Sequence, residues 1–253
     1  MSLPEQDLTL DRLIEHLEQH PADPHPCPYL PGRMARLCGF VADEFAPELY
    51  HRLMDRGFRR SGSLIYRPAC EGCRECVPLR VPVAWFKPSR NQARVRRKNR
   101  DLTVSVGPLE CTREKWRIYA RHLLARTDGT MSDDFEAFRT FLYESNVRSI
   151  EFVYRLGRRI AAVSITDFCR FSLSSVYAFF DPDLHKRSLG TFSILWEVEY
   201  CRRQEIPYYY LGYYIRDCPA MSYKARFRPH QLMPDYHNWE SPDGVRAPPT
   251  TSP

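Results

Sequence analysis

The sequence predicts a mixed α/β fold (α+β) with largely antiparallel sheets, and three observations carry that expectation. Leu10, Leu13, Ile14 and Leu17 recur at the spacing of one helical face. The segments SIEFVYRL, IAAVSITDF and SLSSVYAFFDP follow one another across connections too tight for a crossover, as in an antiparallel meander. Elsewhere helical and extended patterns alternate, and 253 residues suffice for one large domain or two of roughly 100 to 150 residues each.

Taken in order, Thr9 to His20 reads as a helix that the proline-rich stretch Pro21 to Gly32 must end. MARLCGFV reads as a strand, PELYHRLMDRGF as a helix with Pro47 at its start and Gly57 at its end, and RRSGSLIYRP as a second strand. PLRVPVAWF is a further strand, the basic run after it a helix, and LTVSVG a strand closing this half. A break at Gly107 to Cys111 divides an N-terminal half, 1–108, from a C-terminal half, 109–240, with a disordered tail at 241–253. Two helices open the second half, with Thr112 and Ser132 as expected N-caps. The meander follows, with a turn at Gly157 to Arg159; then come a loop HKRSLGT, a helix FSILWEVEYCRR and a strand YYYLGYY.

Composition excludes several classes. The chain is 43% hydrophobic and 27% charged, as in ordinary globular proteins. No stretch reaches the roughly 18 apolar residues of a membrane span, and the N-terminus lacks a basic n-region and an apolar h-region. The expected location is the cytoplasm, with no membrane partner. Nine scattered cysteines, an odd number, suit free thiols or metal ligands better than a disulfide framework. The net charge of +6 is concentrated: Phe86 to Arg100 holds seven Lys or Arg and no acid, so the rest is close to neutral. Such a run is either a solvated helix face or a seat for a polyanion such as RNA.

A meander that runs into a glycine-containing loop, a helix and one more strand resembles the acyl-donor half of the GNAT acyltransferase fold. The resemblance implies a coenzyme A loop at Arg187, Gly190 and Phe192, and phenylalanine at the last position disfavours acetyl-CoA. Longer motifs are more specific. CPYLPGRMARL (27–37), YRPACEGCRECVPLRV (66–81), DPDLHKRSLGTFSILWEVEYCR (181–202) and LGYYIRDCPAMSYKARFRP (211–229) together resemble the aminoacyl-tRNA–protein transferase family. Within it the chain is similar to the bacterial aspartate/glutamate leucyltransferase branch, which moves leucine from Leu-tRNA to proteins beginning with Asp or Glu and so creates an N-degron. The arginyl branch resembles Cys-Gly-Tyr-Cys where this chain has Cys27-Pro28-Tyr29-Leu30, which favours the leucyl reading. An arginyltransferase on the same fold, or a non-catalytic RNA-binding module, are the alternatives. The resemblance implies two GNAT-like halves, Leu-tRNA and Asp- or Glu-starting proteins as partners, and no cofactor.

The chemistry sets the site residues to look for. An acceptor α-amine has a reference pKa of about 7.7 to 8.0, and the aminoacyl ester is already reactive, so positioning, oxyanion stabilisation and proton transfer are the tasks. Arg80, then Arg33, are the expected carboxylate forks, with Cys27 and Tyr29 beside them in the acceptor pocket. Tyr213, Tyr214, Tyr223 and Lys224 are the candidates for proton transfer or oxyanion contact. Asp181, Ser188, Leu189, Gly190 and Thr191 form the expected donor-side turn, and Arg90, Arg94, Arg96, Arg97 and Lys98 the tRNA seat. Cys70, Cys73 and Cys76 have metal-ligand spacing, but three thiols make an incomplete zinc site, so no metal is expected.

Overall fold

The structure is a computed structural model that describes residues 5–42, 46–126 and 131–242. The tail expected to be disordered lies, from residue 243 on, outside the described residues.

Helix α1 (Glu5–Gln19) begins before Thr9 and buries Leu10, Ile14 and Leu17, while Leu13 stays 37% exposed. The stretch read as one strand, MARLCGFV, is two: β2 (Met34–Ala35) pairs with β1 (His25–Pro26), and β3 (Leu37–Val41) joins a different sheet. Helix α2 (Pro47–Met54) has proline in its first turn as expected. RRSGSLIYRP is also two strands, β4 (Arg59–Ser61) and β5 (Leu64–Pro68), because Gly62 adopts a positive φ of 59° and turns the chain. β3, β5 and β4 form a small antiparallel sheet.

Strand β6 (Val77–Pro82) ends at Pro82, where Trp85 N–H closes a turn onto the Pro82 carbonyl. Helix α3 (Arg90–Lys98) is the basic run, held at its start by a capping box between Ser89 and Gln92. β7 (Leu102–Pro108), α4 (Arg113–Leu124) and α5 (Phe135–Leu142) follow. Thr112 caps α4, but the cap of α5 is Asp134, whose carboxylate accepts from two backbone amides, and not Ser132. The meander is β8 (Ser149–Leu156), β9 (Arg159–Cys169) and β10 (Ser172–Phe180). The segment after it is a 3-10 helix, Pro182–Arg187, and α6 (Leu189–Arg203) starts three residues earlier than FSILWEVEYCRR suggests. β11 (Tyr208–Tyr214), α7 (Pro219–Ser222), a 3-10 turn Tyr223–Arg226 and β12 (Gln231–Leu232) complete the described chain.

Among the described residues the main sheet has seven strands in the order β12-β6-β11-β10-β9-β8-β7. It is antiparallel except where β10 meets β11, and it takes strands from both sides of residue 108. Helix α6 covers one face with Leu195, Val198 and Cys201 against Leu173, Tyr209 and Leu211. The other face carries α4 and α5 through Tyr119, Phe138 and Leu142 on Val163 and Phe179. No described helix is long and apolar enough to cross a membrane.

Candidate active site at the end of the parallel ladder

The parallel ladder of β10 and β11 covers only Ser172–Ser174 against Tyr208–Tyr210, although both strands run on. Each is irregular at that point: β10 has a register shift between Ser175 and Tyr177, β11 one between Tyr210 and Gly212. Such irregularities re-aim side chains and end pairing. Gly212 takes φ of 84°, which a side chain would strain, and a Cβ there would meet Arg59 Nη2 at 3.4 Å and Lys224 Nζ at 3.5 Å. The unpaired end of the ladder thus brings two cationic side chains against bare backbone.

Lys224 is buried. Its Nζ donates to the Tyr213 carbonyl at 2.7 Å and to Met221 Sδ at 3.4 Å. Burial, and then the positive charge of Arg59, push its pKa down to about 7. A neutral lysine amine has two N–H groups and one lone pair; both donors are taken here, so the lone pair is what remains for chemistry. Tyr213 is engaged otherwise: its hydroxyl donates to the Gly57 carbonyl at 2.8 Å, and burial raises its pKa far enough to keep the phenol protonated. Tyr223 is likewise pushed up by burial, and with Tyr214 it packs against the core under α6.

On one side of Lys224, Met221 belongs to an apolar layer with Cys27, Tyr29, Leu30, Cys76, Ile215 and Cys218. Burial raises the Tyr29 phenol, and it pushes the Cys76 thiol up to about 12, so neither ionises near neutrality. Beyond this layer lies a cleft of about 620 Å³ between the proline-rich loop and the cysteine loop, lined by Arg33, Met34, Arg36, Cys70 and Cys73 among others. Arg33 is exposed, and its guanidinium donates to Cys73 Sγ at 3.5 Å. Cys70 Sγ is tied to the backbone of Arg36, accepting from its amide at 3.4 Å. Among the described residues no three Cys, His, Asp or Glu side chains converge to hold a metal ion.

Arg80 lies at the centre of β6 with its charge answered inside the chain. Its Nη1 donates to Asp55 at 3.0 Å and to the Tyr210 hydroxyl at 3.1 Å, and its Nε to Gln231 at 2.8 Å. The guanidinium carbon sits 3.9 Å from the Tyr208 ring centre and 4.1 Å from that of Trp239. Asp55 also accepts from Tyr210 and from Trp239 Nε1. Sequence reasoning presented Arg80 as a free fork on a strand; the pairing comes from α2 and from the segment around Trp239, which no local pattern ties to β6.

On the far side, Asp181 caps the 3-10 helix by accepting from Asp183 N–H at 3.1 Å, and pairs with Arg159 Nε at 2.7 Å and Arg121 at 3.3 Å. Ser188 sits in the left-handed region at φ 55°, and Leu189, Gly190 and Thr191 form the first turn of α6. Phe192 points into the core, its ring 5.8 Å from that of Tyr154, and does not stand at the helix mouth as its motif position suggests. Helix α3 docks here: Asn99 Nδ2 donates to the Arg187 carbonyl at 2.8 Å, Lys98 Nζ to that of Lys186 at 2.5 Å, and Arg187 pairs with Asp101 at 2.8 Å. Arg90, Arg94, Arg96 and Arg97 are exposed, and no described carboxylate pairs with them.

Two functional candidates escaped sequence reasoning. Arg59 is buried on β4, one residue from an equally buried Arg60, and adjacent arginines in a short strand carry no sign of which faces what. Glu197 lies in the helix FSILWEVEYCRR, where sequence reasoning gave it no role, and it accepts from Tyr154 at 3.0 Å, from Ser164 at 2.5 Å and from Tyr209. Burial pushes its pKa up to about 7.

Sequence models described as "Arginine-tRNA-protein transferase, N terminus" and "Arginine-tRNA-protein transferase, C terminus" match residues 25–94 and 114–234. Curated relatives named aspartate/glutamate leucyltransferase include those of Hahella chejuensis, 39% identical over 83% of this chain and 91% of the relative, and of Marinobacter nauticus, 42% identical over 85% and 92%. That of Pseudomonas fluorescens is 40% identical over 87% of this chain and 95% of its own. The crystal structure of FemX superposes with a TM-score of 0.52 over 92% of this chain and 75% of FemX at 8% identity, a likeness of fold alone. The matched segments cover both sides of the site around Lys224, and the chain belongs to the arginine-tRNA-protein transferase family as an aminoacyltransferase similar to its aspartate/glutamate leucyltransferases.

Proposed function

We propose that this chain transfers leucine from Leu-tRNA to the N-terminal α-amine of proteins beginning with Asp or Glu, marking them as N-degrons in the cytoplasm. The observation that carries the mechanism is the buried Lys224, whose lone pair is the free valence of an amine beside Gly212. The acceptor α-ammonium gives a proton to Lys224; the freed amine attacks the ester carbonyl. The C–N bond forms, the C–O bond to the ribose breaks, the proton held by Lys224 passes to the ribose oxygen, and the second proton of the attacking nitrogen leaves to solvent as the amide forms. Holding amine and ester in attack geometry supplies roughly 7 to 11 kcal/mol of the barrier reduction. Tyr223, kept protonated by burial, and Tyr214 serve as hydroxyl donors toward the developing oxyanion.

In this reading the seven-stranded sheet is a GNAT-like frame. Residues 1–108 recognise the acceptor and the tRNA and residues 109–240 hold the aminoacyl ester, a division of roles within one shared sheet. Cys27, Tyr29 and Arg33 line the acceptor entrance. The tRNA backbone lies along the exposed arginines of α3, which the Asn99 to Arg187 bond fixes beside the first turn of α6, so Ser188, Leu189, Gly190 and Thr191 face the aminoacyl end. Offering Leu-tRNA and Arg-tRNA separately to a protein beginning with Asp tests the reading. Leucine alone should be transferred; transfer of arginine would favour the arginyl alternative, and transfer of neither the RNA-binding one.

A further inference from the structure

Arg59 and Arg60 are consecutive on β4, so their side chains leave opposite faces of the strand. Arg60 is fully answered: it makes a double contact with the buried Asp167 on β9, at 2.7 Å through Nη2 and 3.1 Å through Nε, where Tyr50 and Ser149 also donate. Arg59 is only 8% exposed, has no carboxylate partner among the described residues, and holds one carbonyl, that of Ser175, at 2.5 Å through Nη2. Its Nη1 is buried with no hydrogen-bond partner among the described residues. Lys224 Nζ lies against the same glycine. A buried cation without a counter-charge is expensive unless something anionic completes it.

We infer that Arg59 is the specificity-determining residue of the acceptor site, its unpartnered Nη1 receiving the side-chain carboxylate of an N-terminal Asp or Glu while Lys224 receives the proton of the same residue's α-amine. The inference rests on the function proposed above. An acidic N-terminal residue carries its ammonium and carboxylate a few bonds apart, and Arg59 Nη2 and Lys224 Nζ flank one point of β11, each within about 3.5 Å of where a Cβ at Gly212 would stand. The glycine explains itself on this account: its positive φ turns the backbone aside at the point where the acceptor must reach both groups. Arg80 offers no such opening, since Asp55 occupies it.

The test compares peptides beginning with Asp and with Asn as acceptors, using wild type, Arg59→Gln and Arg59→Lys with Leu-tRNA. Wild type should prefer Asp on the order of 100-fold or more, as expected for a desolvated carboxylate paired with a buried cation. Arg59→Gln should lose that preference through the KM for the Asp peptide, with the KM for Leu-tRNA unchanged, and Arg59→Lys should keep part of it. A wild-type enzyme that transfers no leucine would refute the proposed function; a wild type that transfers, with an Arg59→Gln variant of unchanged Asp to Asn ratio, would overturn only the role of Arg59. A uniform fall in kcat for both peptides at unchanged ratio would mean an oxyanion contact and equally overturn it. Should both variants be inactive but melt like wild type, calorimetric titration of the two peptides decides: equal affinity for Asp and Asn supports the assignment, a retained preference overturns it.

Discussion

The guanidinium of Arg80 and the carboxylate of Asp55 form an ion pair at 3.0 Å across the interface of β6 and α2, sealed by Tyr208 and Trp239. Arg80 is 2% exposed, so removing Asp55 leaves a buried charge alone. Asp55→Ala should therefore lower unfolding free energy by roughly 2 to 4 kcal/mol, toward the lower end because the Asp55 side chain is 32% exposed. Arg80→Met, which fills the same slot and lets Asp55 reach water, should be milder in urea denaturation. If Arg80→Met instead leaves stability intact and abolishes the preference for Asp over Asn acceptors, Arg80 serves the acceptor and not the fold.

Lys224 sets a pH dependence whose direction is fixed. Only the neutral amine accepts a proton, and with a pKa near 7 that form grows from about pH 6 to 8, so kcat at saturating substrates should rise across this range. Lys224→Met should lower kcat by about 10² to 10⁴-fold. Stability rises with pH as well, in a higher window. The folded pKa of about 7 lies below the ordinary 10.5, so the unfolded state binds the extra proton between the two, and stability rises with pH from 7 to 10.5. Replacing Lys224 by Met removes that penalty, and the variant should melt higher than wild type at pH 7. A variant both less stable and fully active would refute both roles.

What could be read from the sequence follows the range of each signal. Period and capping are local, so α3 as the basic run, α4 with Thr112 and the β8 to β10 meander were legible. Pairing between distant segments is not local. Nothing in PLRVPVAWF says that its strand joins β11 and β12, so the partner that occupies Arg80 was invisible. The cap at Asp134 in place of Ser132 is a local choice between two good cap formers, decided by where Phe138 and Leu142 meet the sheet. Lys224 was found by its motif, but its burial and the company of Arg59 depend on the irregular end of the β10 to β11 ladder, a tertiary feature.

Helix α3 presents Arg94, Arg96 and Arg97 to solvent without described carboxylate partners, so their loss should leave the fold unchanged. Replacing all three by Gln should weaken tRNA binding and reduce the slope of log K against log salt by about 2 to 3, one unit or slightly less for each phosphate left without its cation. Filter binding from low to moderate salt measures both. An unchanged slope would make α3 a solvated face and remove the tRNA from it.

Glu197 ties α6 to three strands, taking hydroxyl donations from Tyr154, Ser164 and Tyr209 with no ion-pair partner among the described residues. Burial raises its pKa from 4.5 to about 7, so between those values the folded state holds a proton that the unfolded state has released. Its contribution to stability is complete below pH 4.5 and is lost as pH rises through 7, the opposite slope to that of Lys224 and in the adjoining window. Glu197→Gln keeps the shape and cannot ionise; its melting temperature should fall less than that of wild type between pH 5 and 7. The side chain lies beneath the helix whose first turn faces the proposed donor site, so the variant should keep its acceptor preference while any loosening of α6 appears in the KM for Leu-tRNA. Parallel melting curves for variant and wild type across that window would show that Glu197 stays ionised under its three hydroxyls, and that burial does not govern its charge.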